Sequence, residues 1–204
     1  MVALAVTGEN KLVRYKQQDV DAVYIAGQKI YGRNLWSPLN RVFTSDYNTV
    51  TTTLVEKGRY KATITGDKAG FTNAPSVNAY MDGLLPTGYT YSTTKTYSAS
   101  FKIRFSYDVS ARIFIYVGSF GYPVSSTGNN SIRITVQCKA NEWADVIVSN
   151  FTPQETSSIS IVGFSYVKSQ NPQVPNHIGL EIELKDIKLE EGELSPYSIH
   201  SSLL

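Results

Sequence analysis

The chain has little of what most catalytic and metal-binding proteins need. Its 204 residues include one cysteine, Cys138, and two histidines, His177 and His200. A single cysteine excludes an internal disulfide framework and a cysteine-rich zinc site. Cys138 ends an alternating apolar run and is predicted to be a small buried hydrophobe rather than a catalytic thiol. Neither histidine belongs to a metal-ligand pattern, and both are expected to be exposed to solvent.

Charge and long apolar runs are also scarce. Charged residues make up 18% of the sequence and the net charge is +2, so no basic field is available to attract nucleic acid or an anionic membrane surface. No apolar run approaches the roughly 18 residues that a membrane-spanning helix needs. Residues 1–8 lack the basic start of a signal peptide, so none is expected. Nucleic acid and membrane are therefore not expected partners.

Helical periodicity is missing as well, whereas alternation is strong. The apolar residues of 97–107 fall on odd positions and the polar ones, including Lys102 and Arg104, on even positions, which predicts a half-buried β-strand. Further strands are predicted at 59–65, 112–118, 131–138, 143–148, 159–167 and 178–189. About eight antiparallel strands with long loops predict an all-β, two-sheet sandwich, most simply of the jelly-roll type.

The last predicted strand changes phase. Ile178, Leu180, Ile182 and Leu184 occupy even positions, whereas the next apolar residues, Ile187 and Leu189, are odd. One extra residue near 185–186 would produce this change, as a β-bulge does. Glu181 and Glu183 alternate with the apolar residues and are predicted to keep the outer face of the strand soluble.

Residues 1–31 differ from the rest of the chain. The segment 20–30 predicts a tight hairpin about 26–28, and a lone hairpin is too small to be stable without a partner. Two interpretations stay open here: an attachment arm over residues 1–31 followed by a module over 32–204, or a decorated first strand of that module.

Three segments carry a family resemblance. The sequence Asp-Ile-Lys-Leu-Glu-x-Gly at 186–192, with Ser-Pro at 195–196, resembles the end of carbohydrate-binding jelly-roll modules of bacteriophage tail and baseplate proteins. Tyr-Gly-Arg-Asn-Leu-Trp at 31–36 resembles the start of such modules, and 97–105 their central strand. The resemblance implies a carbohydrate-binding, galactose-binding-like sandwich from a phage of Gram-positive hosts, located in the virion.

The residue types of the outward-facing positions suggest which side chains could bind a saccharide. Sugars present flat apolar faces and rims of hydroxyls, which suit aromatic rings beside arginines. Arg104 and Arg133 would form an aromatic and arginine groove with Tyr116 and Tyr166 if these four share one sheet face; otherwise the tyrosines lie under a loop. Trp143 is a further candidate, and its alternative is packing at the sheet edge. The 14 tyrosines suit recognition but are also typical of β-sandwich cores.

The resemblance also implies a structural calcium, because Asp186 matches a last-strand aspartate that binds calcium in such modules. The matching first-strand pattern, Asn-x-x-Phe-Glu, is absent from 34–40, and calcium needs six to eight oxygen ligands. Asp186 is the one calcium ligand that the sequence suggests.

Together these features predict a non-catalytic phage tail or baseplate accessory protein. It would bind a saccharide on the host cell surface and attach to other tail proteins through residues 1–31. One alternative is a purely structural tail protein that uses the sandwich for subunit contacts; another is a subunit of a glycan-processing enzyme that has lost its catalytic domain. A glycosidase needs two carboxylates facing each other across a cleft. Glu181 and Glu183, two residues apart on one strand face, are instead expected to point the same way.

Overall fold

The structure is a computed structural model. It describes residues 14–15, 18–19, 22–25, 28–32, 35, 43–45, 50–56, 58–66, 76–81, 89–117, 131–153, 156, 160–167 and 170–196. Within these residues no helix has the length and hydropathy needed to cross a membrane.

The described residues form fourteen β-strands. In chain order they are β1 (Arg14–Tyr15), β2 (Gln18–Asp19), β3 (Ala22–Ile25), β4 (Gln28–Gly32), β5 (Phe43–Ser45), β6 (Val50–Glu56), β7 (Arg59–Ile64), β8 (Ser76–Met81), β9 (Tyr97–Phe105), β10 (Val109–Val117), β11 (Ser131–Cys138), β12 (Ala144–Phe151), β13 (Ser160–Val167) and β14 (Glu181–Glu191).

Ten of these strands build two five-stranded sheets. Sheet I has the order β12-β9-β14-β7-β6 and sheet II the order β11-β10-β13-β8-β5. Neighbouring strands are antiparallel in both sheets. From β8 onward the chain repeatedly crosses between the sheets, which is the connectivity of a jelly roll. The predicted all-β, antiparallel sandwich of jelly-roll type is confirmed.

The core lies between the inward faces of the two sheets. In sheet I, β9 buries Ala99, Phe101, Ile103 and Phe105, and in sheet II β10 buries alternate residues in the same way. This is the alternation that the sequence predicts, because successive side chains of a strand point to opposite faces. The long predicted strand is shorter by its last two residues: β9 ends at Phe105, and Tyr107, expected on the buried face, is 38% exposed beyond it.

Several tyrosines belong to this core. Tyr60, Tyr91 and Tyr97 are almost completely buried, and the Tyr91 and Tyr97 rings meet edge to face with centroids 4.9 Å apart. These three tyrosines therefore follow the ordinary preference of sandwich cores for aromatic residues. Cys138 is buried as predicted, and burial raises the pKa of its thiol to about 11, which makes it a poor nucleophile at neutral pH.

The predicted bulge in the last strand is present. The pairing of β14 with β9 shifts register between Lys185 and Lys188, and Asp186 adopts a left-handed φ of 53°. After the bulge Ile187 and Leu189 are buried, so the extra residue restores apolar packing in the new phase. One expectation was wrong: Ile178 is 45% exposed, because it precedes β14 in a turn that contains Gly179 at φ 92°.

The conformation of Asp186 gives a first prediction. Asp186→Val is expected to lower the free energy of unfolding by about 1–2 kcal/mol, since a β-branched residue strains in the left-handed region. Asp186→Asn is expected to keep the stability of the native chain, because asparagine tolerates that region. Urea denaturation of both variants measures this. If Asp186→Asn is as unstable as Asp186→Val, the carboxylate and not the backbone conformation makes the contribution.

The loop before β14 is packed rather than solvated. His177, expected to be exposed, is 6% exposed, and its carbonyl accepts the N–H of Leu180 at 3.0 Å. Asn171 is buried and bridges to β10, accepting the N–H of Ser110 at 2.6 Å and donating to its carbonyl at 3.1 Å. These bonds hold the loop against the end of sheet II. His200 lies outside the described residues.

Two small sheets precede the sandwich. β1 pairs with β2, and β3 pairs with β4 as the predicted hairpin, with Ile25 opposite Gln28. Among the described strands these four pair only with each other. Leu35 already belongs to the sandwich, because its N–H donates to the carbonyl of Leu189 at 2.7 Å. Division of the chain at residues 31 and 32 stays a prediction, and Trp36 and residues 118–130 lie outside the described residues.

Candidate functional site

The predicted ligand residues lie on two different sheets. Arg104 is on β9 of sheet I, whereas Tyr116, Arg133 and Tyr166 are on β10, β11 and β13 of sheet II. The structure therefore does not bring Arg104 together with the other three, so the condition for one groove containing all four, a shared sheet face, is not met. The sequence shows alternation within each strand, but it does not show to which sheet a strand belongs.

Within sheet II the backbone register relates the remaining three positions. Position 116 pairs with Ser131 on β11 and with Ile161 on β13, and position 133 pairs with Phe114. Tyr166 pairs with Val77 on β8. The partner of position 116 on β13, Ile161, therefore differs from Tyr166 by an odd number of positions along that strand. A role for Tyr116, Arg133 and Tyr166 in saccharide binding stays a prediction.

Sheet I does unite two of the predicted residues. The guanidinium carbon of Arg104 lies 4.9 Å from the ring centroid of Trp143. Two further cations approach the same ring: the ammonium nitrogen of Lys185 at 4.5 Å and the guanidinium carbon of Arg59 at 5.7 Å. All three distances are within the range of a cation–π interaction. Trp143 is half-buried, so its ring lies among these cations while keeping contact with solvent.

A short turn places Trp143 at the entrance to β12. Asn141 adopts a φ of 61°, and its N–H donates to the carbonyl of Phe105 at 2.7 Å. Asp108 fixes the same turn from the other side, accepting the N–H of Ala140 at 2.8 Å and the ammonium of Lys139 at 3.1 Å. Asparagine is one of the few residues that adopt this backbone region readily. The turn thus ties the start of β12 to the end of β9, where Arg104 lies.

One carboxylate holds the two arginines. Glu183 on β14 accepts hydrogen bonds from Arg59 Nε at 2.7 Å and from Arg104, and its side chain is only 9% exposed. Arg59 is on β7 and Arg104 on β9, and these are the two neighbours of β14 in sheet I. We call the group formed by Arg59, Arg104, Glu183, Lys185 and Trp143 the Trp143 cluster. Glu183 was expected to be a solvated residue of the strand face, and this expectation was wrong.

The charge of Glu183 is stabilised where it lies. Burial by itself would raise the pKa of Glu183, but hydrogen bonds from Arg104 and Arg59 outweigh it and hold the pKa below the ordinary value of 4.5. The carboxylate is therefore ionised at neutral pH. It positions both guanidinium groups beside the Trp143 ring, and it is not a group that would donate a proton near pH 7.

Ion pairs surround the cluster on the same sheet face. Lys61 pairs with Glu181 at 2.7 Å and Lys102 with Asp145 at 2.8 Å. Lys185 differs from both, because it has no carboxylate partner among the described residues. Its described interaction is the one with Trp143. The Trp143 cluster thus carries three cations and one buried carboxylate.

Asp186 is the residue for which the sequence predicts calcium. Asp186 is exposed at the bulge, and its charge raises the pKa of Lys102 after the larger contribution of Asp145. Among the described residues no group of three or more His, Cys, Asp or Glu side chains is placed to hold a metal ion. Calcium prefers six to eight oxygen ligands. Calcium at Asp186 stays a prediction.

Arg59, Glu183 and Lys185 belong to the cluster although the sequence did not single them out. A weak signal exists for each, because each occupies a polar position of an alternating strand and therefore faces outward. What the sequence lacks is the order of the strands. Arg59 is 124 residues from Glu183 in the chain, so its contact with Glu183 depends on β7 and β14 being neighbours.

Comparisons with known proteins give structural neighbours alone. No protein-family model and no curated protein matches the sequence. Among solved structures, the chain is similar to the enzymatically active domain of bacteriophage CBA120 tailspike protein 4, with 10% identity and a TM-score of 0.47. The match covers 78% of this chain but only 20% of the length of the tailspike chain.

Two further neighbours are binding modules. The N-terminal cellulose-binding domain of Cellulomonas fimi β-1,4-glucanase C has 15% identity and a TM-score of 0.45, and the match covers 78% of this chain and 93% of that domain. The family 11 carbohydrate-binding module of the Clostridium thermocellum cellulase Lic26A-Cel5E has 15% identity and a TM-score of 0.45, with 81% and 97% covered. Because these scores are below 0.5, the functions of the neighbours do not transfer to this chain, and its sandwich architecture rests on its own strand pairing.

Proposed function

We propose that the chain is a non-catalytic carbohydrate-binding protein that binds a saccharide through the Trp143 cluster on the outer face of sheet I. The observation that carries the proposal is the half-buried Trp143 ring with Arg59, Arg104 and Lys185 within 5.7 Å of its centroid. An indole ring offers an apolar face to a sugar ring, and guanidinium and ammonium groups donate hydrogen bonds to its hydroxyls.

The cluster is held in place before any ligand binds. Glu183 orders Arg59 and Arg104 by accepting hydrogen bonds from both. The backbone hydrogen bonds of the turn at 139–143 hold Trp143 in position. Groups that are already ordered lose little conformational entropy when a ligand arrives, so more of the contact energy appears as affinity. A shallow site on a sheet gains most from this, since it encloses a small part of its ligand.

Three carboxylates of this face favour binding over hydrolysis. A glycosidase uses one acid with a raised pKa and one opposed carboxylate. Glu183 has a lowered pKa, and Glu181 and Asp145 each form an ion pair with a lysine. Charge-paired carboxylates on one flat face lack the opposed geometry of a general acid and a base.

The wider biological role belongs to the same proposal. The chain would be an accessory protein of a phage tail or baseplate, located in the virion, that adheres to saccharide on the surface of a Gram-positive host. Residues 1–31 would attach it to other tail proteins. The separate pairing of β1 with β2 and of β3 with β4 supports this attachment, because isolated two-stranded sheets need a partner surface. Several copies on one virion would turn weak sites into useful avidity.

A second candidate function is purely structural. Among the described residues, each of the two edge strands of sheet I carries an exposed aliphatic side chain, Val55 on β6 at 43% and Ile147 on β12 at 60%. Exposed apolar residues on edge strands are suited to contacts between subunits. In this case the sandwich would join tail proteins together, and the Trp143 cluster would bind no saccharide.

The test is binding of fluorescently labelled full-length chain to intact Gram-positive cells. Trp143→Ala is expected to weaken saturable binding by about tenfold to thirtyfold, because loss of an anchoring aromatic ring costs about 1.4–2 kcal/mol. Tyr107→Ala is the matched control, since Tyr107 is also a partly exposed aromatic residue but lies outside the cluster.

The remaining variants separate the candidate functions. Loss of binding in a Tyr116→Ala/Tyr166→Ala double variant, with Trp143→Ala unaffected, would move the site to sheet II. Absence of binding by the folded native chain across candidate hosts would contradict adhesion and favour the structural role. Near-ultraviolet circular dichroism of every variant checks that the fold is retained.

A further inference from the structure

We propose that the Trp143 cluster recognises an anionic saccharide, one that carries a carboxylate or a phosphate group close to the sugar ring that stacks on Trp143. This inference rests on the proposed function and names its ligand class. It follows from the charge around the ring and from the hydrogen-bond donors that remain there.

The charges of the cluster are not balanced. Arg59, Arg104 and Lys185 lie within 5.7 Å of one centroid, and the like charges of the three cations repel. Glu183 is a single negative charge shared by two arginines, and Glu56 adds a longer contact of 3.4 Å to Arg59 from an exposed position. No described carboxylate pairs with Lys185. An anion bound beside the ring would relieve this repulsion.

Unused donors point to the same place. A guanidinium group has five N–H donors. Arg59 directs three of its nitrogens to Glu183 and Glu56, whereas Arg104 directs Nη2 alone to Glu183 among the described contacts. Among the described contacts Arg104 therefore keeps Nε and Nη1 available, and Lys185 approaches the same Trp143 ring. Arg104 and Lys185 thus supply positively charged donors at one ring, and such donors suit two oxygens of a carboxylate or phosphate group.

The rest of the face indicates why the anion would bind at this point. Lys61 and Lys102 each have a carboxylate partner within 2.8 Å, so their charges are largely neutralised within the sheet. The positive charge that remains is concentrated at Lys185 and Arg104. A neutral sugar would use the ring and leave this charge without a partner, whereas an acidic sugar would use both.

The experiment is calorimetric titration of the full-length chain with three probes. A hexamer of α-1,4-linked galacturonic acid carries carboxylates, its methyl-esterified form is the neutral match, and a glycerol phosphate oligomer carries phosphodiesters. We expect an anionic probe to bind about tenfold more tightly than the esterified hexamer, because one charge-assisted hydrogen-bond pair contributes about that factor. Comparison of the two anionic probes distinguishes carboxylate from phosphate recognition.

Lys185→Gln is the diagnostic variant. It should weaken binding of the preferred anionic probe by about tenfold and leave the esterified hexamer unaffected. Lys61→Gln, which removes the same charge from the same face but not from the cluster, should change neither affinity. Equal losses in both lysine variants would show a general charge effect and overturn the proposal.

The failure of this inference differs from that of the proposed function. Equal binding of the anionic and neutral hexamers, both weakened by Trp143→Ala, would overturn anion recognition and leave saccharide binding intact. Absence of binding by all three probes, with the native chain folded, would overturn anion recognition. In that case the whole-cell experiment decides whether saccharide binding itself also fails.

Discussion

Glu183→Gln is expected to lower the free energy of unfolding at pH 7 by about 2–3 kcal/mol. Removing one member of a buried ion pair costs about 3–5 kcal/mol, because the remaining charge stays buried without compensation. Here the cost is smaller, since the Arg59 and Arg104 side chains are 28% and 26% exposed and water screens them in part. Glutamine still accepts one hydrogen bond but cannot neutralise two guanidinium groups. Urea denaturation of the native chain and the variant measures the difference.

The matched control lies on the same strand. Glu181→Gln makes the same chemical change two residues earlier, where the carboxylate pairs with Lys61 at 2.7 Å and is 44% exposed. An exposed pair of this kind contributes about 0–1 kcal/mol. If Glu183→Gln loses no more stability than Glu181→Gln, the ion pairs of Glu183 with Arg59 and Arg104 do not stabilise the fold as the structure indicates.

The dependence on pH has a definite sign. The pKa of Glu183 is lower in the folded chain than its ordinary value of 4.5, so folding favours the ionised form. The stabilisation is therefore fully present above about pH 4.5 and is lost as the pH falls through the lower, folded-state pKa. The stability difference between the native chain and Glu183→Gln should shrink as the pH is lowered from 7 toward about 3. A difference that stays constant over this range would show that the charge of Glu183 makes no contribution.

The contrast between Glu181 and Glu183 also shows how far sequence patterns extend. Both occupy polar positions of one alternating strand, and the pattern correctly predicted that the apolar residues of β14 enter the core. It could not distinguish the two carboxylates, because their difference comes from neighbours on other strands. Arg104 is 79 residues away from Glu183 in the chain, and a pattern within one strand carries no information on that pairing.

Local signals predicted local features well. The phase change after Leu184 predicted the bulge that the register confirms, and the period of two over 97–105 predicted the buried face of β9. Sequence patterns failed to predict burial and strand positions where contacts between distant parts of the chain decide them. His177 lies in a loop rich in polar residues and proline yet is buried, and the threonine-rich strand β6 was not predicted because its apolar residues are too few to reveal a period.

The proposed ligand residues show the same limit on a larger scale. Arg104 and Arg133 have equivalent positions in two alternating strands, and one of the two interpretations of the sequence placed them in the same groove. In a jelly roll the chain crosses repeatedly between two sheets, so β9 and β11 belong to different layers. A sequence that predicts each strand correctly can therefore still predict the wrong neighbours, since strand order depends on the connections and not on alternation.

The second large effect is expected at the centre of the sandwich. Phe105→Ala should lower the free energy of unfolding by about 3–5 kcal/mol, the usual cost of removing a buried phenylalanine ring. Phe105 on β9 of sheet I is completely buried, and its ring meets that of Phe164 on β13 of sheet II edge to face, with centroids 6.0 Å apart. The variant leaves a cavity between the two sheets that rigid strands cannot close. Urea denaturation with the native chain alongside measures the loss.

Two further variants test the pairing of these rings. Phe105→Leu should cost less than Phe105→Ala, because leucine fills most of the space and loses chiefly the ring–ring contact, worth about 0.5–1.5 kcal/mol. In a double-mutant cycle, Phe105→Ala and Phe164→Ala should be non-additive by a similar amount. Strict additivity of the two losses would contradict a direct contact between the sheets at this point.

The neighbouring residues Arg104 and Phe105 allow the effects on binding and on stability to be measured separately. Successive side chains of a strand point to opposite faces, so Arg104 joins the Trp143 cluster outside while Phe105 fills the core inside. Phe105→Ala should therefore leave saccharide affinity per folded molecule unchanged, at a temperature where the variant is still folded. Arg104→Ala should weaken binding and cost less stability, since its side chain is partly exposed. If Phe105→Ala reduces affinity as strongly as Arg104→Ala, the site depends on the core or lies elsewhere, and the outer face of sheet I is not an independent binding surface.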